Sequence, residues 1–159
     1  MTTSRLLRLL GTGRAGEGDS DHGVRALKRE VSRTATTRFV NPLVVALVDR
    51  GVLARGWAIL ETRGRVSGEP RRVPVGNGLR GDTFWIVTEH GRHAHYVRNI
   101  EADPRVRVKA GGRWRTGTAH ILPDDDPYAR LRWLRRPVND AALLAVGTEQ
   151  LVVRVDLEP

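Results

Sequence analysis

The stretch from Arg105 to Leu122 constrains the fold more than any other part of the sequence. Basic residues alternate with valine or alanine through residues 105–110, Gly111 and Gly112 follow, and an extended pattern returns through residues 113–122. A period of two is typical of a strand with one buried face, and paired glycines allow a tight turn. We therefore predict a β-hairpin here.

Four further segments have the composition of strands. They are rich in β-branched, aromatic and aliphatic residues and are bounded by glycine, proline or aspartate. One of them, Thr-Phe-Trp-Ile-Val-Thr, has the continuous apolar character of a buried strand. The four segments are residues 57–62, 71–79, 83–88 and 151–157.

Three short helices are predicted between these strands. The first helix begins at Asn41-Pro42, where asparagine can cap the helix and proline suits its first turn, and it ends before Gly51. A second helix, over residues 93–102, ends before Pro104. A third, over residues 128–135, follows three aspartates that suit the positive end of a helix dipole. Six strands with about three short helices predict a mainly β, α+β domain built as a small antiparallel barrel.

The first 35 residues differ from the rest of the chain. They are charged and glycine-rich without periodicity, which predicts a flexible or partly helical segment before a domain of residues 36–159. The longest apolar stretch, residues 42–48, is too short to cross a bilayer, and no secretory signal is evident. The chain has no cysteine. We expect a cytoplasmic protein, with peripheral membrane contact left open, as a monomer or a homodimer.

The net charge of +9 favours an anionic partner. Only two of the 27 basic residues are lysine, the arginines are spread along the whole chain, and the basic run has no interleaved surface aromatic residues beside it, so nucleic-acid binding is not expected. His93 and His95, beside His90, are two residues apart in a segment predicted to be helical, whereas helical metal ligands normally lie three or four residues apart, and no metal is expected. The charge alone does not identify which anionic partner binds.

The turn over residues 62–74 carries the strongest chemical signal. Gly64 and Gly68 permit backbone angles that direct several N–H groups into one concavity. Ser67 adds a hydroxyl, while Arg65 and Arg71 add guanidinium groups that can grip phosphate or carboxylate in pairs. From the residues alone, an anion site and a solvated hairpin both remain open.

Three separated blocks then resemble one known family. They read Thr-x-Gly-Arg-x-Ser-Gly-x-Pro-Arg-x-x-Pro, Gly-Asp-x-Phe-Trp-Ile-Val and Tyr-Val-Arg-Asn-Ile-Glu-Ala-Asp-Pro-Arg-Val. In order and spacing they resemble the deazaflavin-dependent nitroreductase family, from about residue 41 to 123. The resemblance implies a split β-barrel like that of flavin-binding oxidoreductases. It also implies the deazaflavin coenzyme F420 and hydride transfer to quinones, nitro compounds or other electron-poor acceptors.

The resemblance also implies which residues bind the coenzyme. They fall in four segments: the turn, the strand beside the deazaflavin ring, a second segment at the edge of the site, and the start of a helix. In sequence order they are Arg65, Val66, Ser67, Gly68, Arg71, Arg72, Val73, Pro74, Val75, Gly76, Val87, Thr88, Glu89, His90, His95, Tyr96, Val97, Arg98 and Asn99. On the acceptor side, where developing negative charge needs hydrogen-bond donors, the catalytic candidates are Tyr96, Tyr128 and Trp133.

Two positions depart from the family pattern. Val66 and His90 stand where the family usually carries lysine, and each lost charge-assisted contact is worth about 1.5–3 kcal/mol. Arg72, Arg92 and Arg98 are the candidates to compensate. The departures keep two alternatives open: a non-catalytic barrel for another ligand, such as a fatty acid or haem, and a reductase that uses flavin mononucleotide.

Overall fold

The computed structural model describes residues 41–52 and 55–159, which form seven strands, four α-helices and one 3-10 turn. The helices are α1 (Asn41–Asp49), α2 (His95–Ala102), α3 (Pro127–Leu134) and α4 (Pro137–Val146), and the 3-10 turn is Gly91–His93. The strands are β1 (Trp57–Arg63), β2 (Pro70–Gly76), β3 (Leu79–Arg80), β4 (Thr83–Val87), β5 (Arg105–Ala110), β6 (Arg113–Leu122) and β7 (Val152–Leu157).

All seven strands belong to one sheet, in the order β2-β1-β5-β6-β7-β4-β3, with every neighbouring pair antiparallel. Val75 of β2 and Phe84 of β4 lie near opposite ends of this order, yet both belong to one buried cluster. The sheet must therefore curl so that its two ends meet around a common core. This is the split-barrel architecture expected from the resemblance.

The alternation of residue types decides which face is the inside. Val106 and Val108 of β5 are buried in the core, whereas Arg105 and Arg107, which alternate with them, are exposed on the other face. Helix α2 adds Ile100 to the same core. The period of two in the sequence thus becomes the inner and outer faces of the barrel.

Helices cover the outer face in two places. Asp49 of α1 forms an ion pair with Lys109 of β5 at 2.6 Å. At the other end of the sheet, Leu131 of α3 and Leu143 of α4 pack against Val87 and Val152. Between these helices the outer face of β5 and β6 carries mostly polar and charged side chains.

The predicted count of six strands is corrected to seven. Residues 71–79 were expected to form one strand, but β2 ends at Gly76 and the two-residue β3 pairs with β4 instead of β1. At the corner between β2 and β3, the Asn77 N–H donates to the Gly56 carbonyl. The Gly78 carbonyl accepts a hydrogen bond from the Trp85 N–H. The chain changes its strand partner here because Gly78 lies directly against the β4 backbone.

The predicted three helices are present, and the second begins with the 3-10 turn before α2. Helix α4 was not predicted, although Pro137 stands at its first turn. The predicted N-terminal segment, residues 1–35, lies outside the described residues. Within the described part of the chain, no helix is long and apolar enough to span a membrane.

Candidate functional site

The glycine-containing turn between β1 and β2 closes on itself through backbone hydrogen bonds. The Gly64 N–H donates to the Glu69 carbonyl at 2.8 Å, and the Gly68 N–H donates to the Gly64 carbonyl at 2.7 Å. Gly68 has φ +72°, a conformation that favours glycine. A Cβ on Gly64 would lie 2.8 Å from the Ser67 hydroxyl oxygen. Both glycines are therefore needed for this tight turn.

Asn99 of α2 anchors the turn to the body of the domain. Its side chain is buried, and its Nδ2 donates to the Thr62 hydroxyl at 3.0 Å. Its Oδ1 accepts from both the backbone N–H and the Nη1 of Arg65, each at 3.2 Å. The turn is thus held by the same helix that carries Tyr96.

The donors that remain in the turn suit an anion. Ser67 Oγ accepts from the Glu69 N–H and from Arg71 Nη2, both at 3.3 Å, which leaves the hydroxyl proton free to donate. Within residues 41–52 and 55–159, no acceptor is bonded to the N–H groups of Val66 and Ser67. Arg65 and Arg71 each retain further guanidinium donors. Two positive charges and these N–H groups fit a phosphate or carboxylate.

A narrow cleft lies at the other end of β2. Five of the predicted binding residues line it together with Trp57, Ile86 and three residues in or next to α4. The five are Val75, Gly76, Val87, Glu89 and Tyr96. The space between the side chains is only about 30 Å³. The cleft as it stands is therefore smaller than a planar multi-ring cofactor requires.

The ionisable groups of this cleft are perturbed by burial. Burial raises the pKa of Glu89, opposed only in part by a hydrogen bond from its own backbone N–H. Burial, with the nearby charge of Glu89, raises the pKa of Tyr96 well above its ordinary value. Burial lowers the pKa of Arg136, although Asp140 opposes this effect. Such a cluster of perturbed groups in a concave site is typical of an active site.

The remaining predicted binding residues are distributed more widely. Val73, Thr88, His90 and Val97 are buried or partly buried within the fold, and among the described residues the Thr88 hydroxyl has no hydrogen-bond partner. Pro74 lies opposite Ile59 in the β1–β2 register, on the face away from the core. His95 is exposed at the start of α2.

Each of the three arginines proposed to compensate for Val66 and His90 makes a contact of its own. Arg72 binds Glu61 on the outer face of the sheet. Arg92 forms an ion pair with Glu101. The Arg98 Nε donates to the Arg92 carbonyl at 3.3 Å. The side chain of Val66 itself is 91% exposed.

Two of the three aromatic candidates for the acceptor side lie away from the cleft. Tyr128 is half-exposed on α3 and donates to Gln150 at 3.3 Å. Trp133 packs edge-on against Trp85, with ring centres 5.9 Å apart. Only Tyr96 lines the cleft.

Sequence reasoning missed the contribution of α4 to the cleft. Arg136 and Asp140 line it, and their side chains approach to 3.6 Å, while the Arg136 backbone N–H donates to Asp140 at 3.2 Å. The signal available in the sequence was Pro137 followed by an apolar run through residues 141–146. Of the three histidines considered as metal ligands, His90 contacts Thr148 and His93 contacts Glu149.

Arg72 instead belongs to an ionic cluster on the outer face. Glu61, nearly buried, accepts from Arg72 Nε at 2.8 Å and from Arg107 Nη1 at 2.9 Å. The two guanidinium carbons lie 5.2 and 4.8 Å from the centre of the Trp114 ring. This cluster braces β1, β2, β5 and β6 against one another.

Replacing Glu61 with glutamine should lower the free energy of unfolding at pH 7 by about 1–3 kcal/mol. Burial acts to raise the pKa of Glu61, but the hydrogen bonds from Arg72 and Arg107 outweigh it and lower the pKa. The stabilisation is therefore complete above the ordinary glutamate pKa and is lost as pH falls through the lowered one. Urea unfolding at pH 7 and pH 3 measures the difference. An equal loss at both pH values would contradict the prediction.

The curled antiparallel sheet, with a cleft and an arginine-bearing turn at the two ends of β2, defines a split β-barrel domain. The F420-H2 dependent reductase FDR-A has the same fold, with a TM-score of 0.50, 22% identity, and coverage of 65% of this chain and 95% of that chain. Atu2129 from Agrobacterium tumefaciens, a protein of unknown function, has a TM-score of 0.52 and 25% identity, with coverage of 65% of this chain and 49% of its own. No curated protein matches the chain.

The family itself is shown by the sequence match. Residues 33–158 match the F420H2-dependent quinone reductase family. The chain belongs to this family and is therefore an oxidoreductase. The resemblance found in the three sequence blocks is confirmed at this level.

Proposed function

We propose that the protein binds coenzyme F420 with the anionic tail on the turn of residues 62–74 and the deazaflavin ring in the cleft beside Tyr96. When bound, the coenzyme supplies the hydride. The protein then transfers that hydride to a quinone, a nitro compound or a similar electron-poor small molecule. Family membership supports the coenzyme, whereas the choice of acceptor is a proposal.

The proposal depends on one observation. The turn that suits an anion and the cleft whose ionisable groups have shifted pKa values lie at the two ends of one strand. Arg71, in the turn, and Val75, in the cleft, are four residues apart on β2. That spacing corresponds to about 13 Å along a strand. Alternation places both on the same face of β2. An elongated ligand with an anionic tail and a flat ring matches this arrangement.

The chain's own residues would then divide the work. Arg65, Ser67 and Arg71 hold the charged tail, and Asn99 fixes the turn on which they stand. Val75 and Val87 present apolar surface to the ring. Because the cleft is narrow, coenzyme binding requires its walls to separate, and α4 is the element we expect to move.

Arg65→Ala and Arg71→Ala should each weaken coenzyme binding by roughly 10- to 150-fold, the equivalent of about 1.5–3 kcal/mol for a lost charge-assisted contact. Titration of the purified protein with F420, followed by fluorescence quenching, measures the dissociation constants. Arg132→Ala is the matched control, because it removes the same charge from an exposed position on α3, which lines neither the turn nor the cleft.

The control separates direct contact from the general attraction of a cationic protein for an anion. We expect Arg132→Ala to bind the coenzyme within about threefold of the wild-type protein, as its charge is exposed and screened. Parallel titrations with flavin mononucleotide and haem test the alternative ligands. Unchanged F420 affinity in both turn variants, or tight binding of haem alone, would refute the proposal.

A further inference from the structure

Glu89 is an acidic side chain in the cleft that has no cationic partner among the described residues. It lies two residues after the end of β4 and lines the cleft together with Tyr96. The other carboxylate of the cleft, Asp140, is engaged by the backbone N–H and the guanidinium of Arg136. Glu89 is thus the acidic group of the cleft that is not neutralised by an ion pair.

The backbone of Glu89 is held in place by the loop after α4. Its carbonyl accepts from the Thr148 N–H at 2.9 Å and from the Glu149 N–H at 3.3 Å. Gly147 lies so close that an added Cβ would sit 3.1 Å from the same carbonyl. The position of this residue is therefore fixed by the fold.

Reduction of a quinone or a nitro group by hydride requires a proton as well. Hydride addition places an electron pair on an acceptor oxygen, and a positioned acid that protonates this oxygen lowers the barrier. Arg136 cannot serve because guanidinium groups do not lose their protons in proteins. Tyr96 holds its proton tightly, since its pKa is raised well above the ordinary value.

We propose that Glu89 is a catalytic residue that donates this proton to the electron acceptor in the cleft. The inference rests on the proposed function, which supplies the reduced coenzyme as the hydride donor. The acceptor gains two electrons and a hydrogen as hydride, while the coenzyme is oxidised. The O–H bond of the Glu89 carboxyl breaks, a new O–H bond forms on the acceptor oxygen, and the proton that the oxidised coenzyme releases returns through water to the carboxylate.

Burial supports this role because it raises the pKa of Glu89 and so favours the protonated acid at higher pH. The ionisable groups that face it are Tyr96 of α2 and the Arg136–Asp140 pair at α4. His90 and the His93–Glu149 pair belong to the segments beside it. Activity should therefore fall as pH rises through the raised pKa of Glu89.

Glu89→Gln tests the proposal because glutamine keeps the size and polarity of the side chain but has no acidic proton. We expect kcat with a quinone to fall by roughly 100-fold, the usual contribution of a general acid. F420 affinity should stay within about twofold, and the alkaline decline of kcat should disappear. Glu158→Gln, an exposed change after β7, is the matched control and should retain wild-type kcat.

A second measurement does not depend on turnover. In the protein without coenzyme, carbon NMR of labelled glutamate side chains should show one carboxyl that titrates above the ordinary glutamate range and is missing in Glu89→Gln. A variant that keeps more than half of the wild-type kcat, or the same pH profile, would overturn the role of Glu89 alone. Absence of F420 turnover in the wild-type protein would overturn both this role and the proposed function.

Discussion

Replacing Gly78 with alanine should lower the free energy of unfolding by at least about 3 kcal/mol, because the new Cβ has no room. It would lie 1.9 Å from the carbonyl oxygen of Trp85 and 2.8 Å from the carbonyl carbon. These are backbone atoms of β4, so no rotamer change relieves the overlap. The only relief is separation of β3 and the Asn77–Gly78 corner from β4.

Gly56→Ala is the matched control for this change. An added Cβ at Gly56 meets no atom within 4 Å, so the same substitution should alter stability by less than about 1 kcal/mol. Urea unfolding of the two variants and the wild-type protein, followed by tryptophan fluorescence, gives the comparison. Equal stabilities for Gly78→Ala and Gly56→Ala would show that the corner does not hold β4 as described.

The corner at Gly78 also explains why one strand was predicted where two exist. Residues 71–79 have continuous strand character, and periodicity reports the conformation of a segment but not the identity of its neighbour. The change of partner from β1 to β4 depends on a close backbone approach between residues 78 and 85. In the sequence, only the glycine at position 78 was consistent with this close approach. A glycine in a strand can equally indicate a bulge or a bend, so it did not identify the change of partner.

The turn of residues 62–74 was predictable because its chemistry is local. Glycines at tight positions, a hydroxyl and two arginines lie within a few residues of one another, and the structure forms the closed turn they indicated. The resemblance added Asn99, whose contacts with Thr62 and Arg65 span 37 and 34 residues of sequence. No pattern within the turn alone, or within the helix that carries Asn99, could reveal that these residues contact one another.

For Arg72, by contrast, position in the sequence was misleading about its neighbours in the structure. It is adjacent in sequence to Arg71, but strand alternation places the two side chains on opposite faces of β2. The outer-face partner, Glu61, is identifiable only from the β1–β2 register, in which the two residues are paired. Proximity in sequence therefore overestimated the number of cations available to the turn.

Asn99→Leu should have the largest combined effect on stability and coenzyme binding. Thr62 is 2% exposed, so its hydroxyl would be left buried without a hydrogen-bond partner, and the Arg65 N–H would lose its acceptor. Two such losses predict a decrease of about 2–4 kcal/mol in the free energy of unfolding. Because the turn would no longer be held against α2, F420 affinity should also fall by at least about tenfold.

A double-mutant cycle with Thr62→Val distinguishes the anchor from a general packing defect. Valine has no hydroxyl to leave unsatisfied, so the double variant should be more stable than the sum of the single losses predicts, by about 0.5–3 kcal/mol. Coenzyme affinity should not recover, since Arg65 still lacks the Asn99 carbonyl. Additive stabilities would mean that Thr62 and Asn99 act independently. Restored affinity in the double variant would mean that Thr62, and not the Arg65 contact, is what positions the turn for the anion.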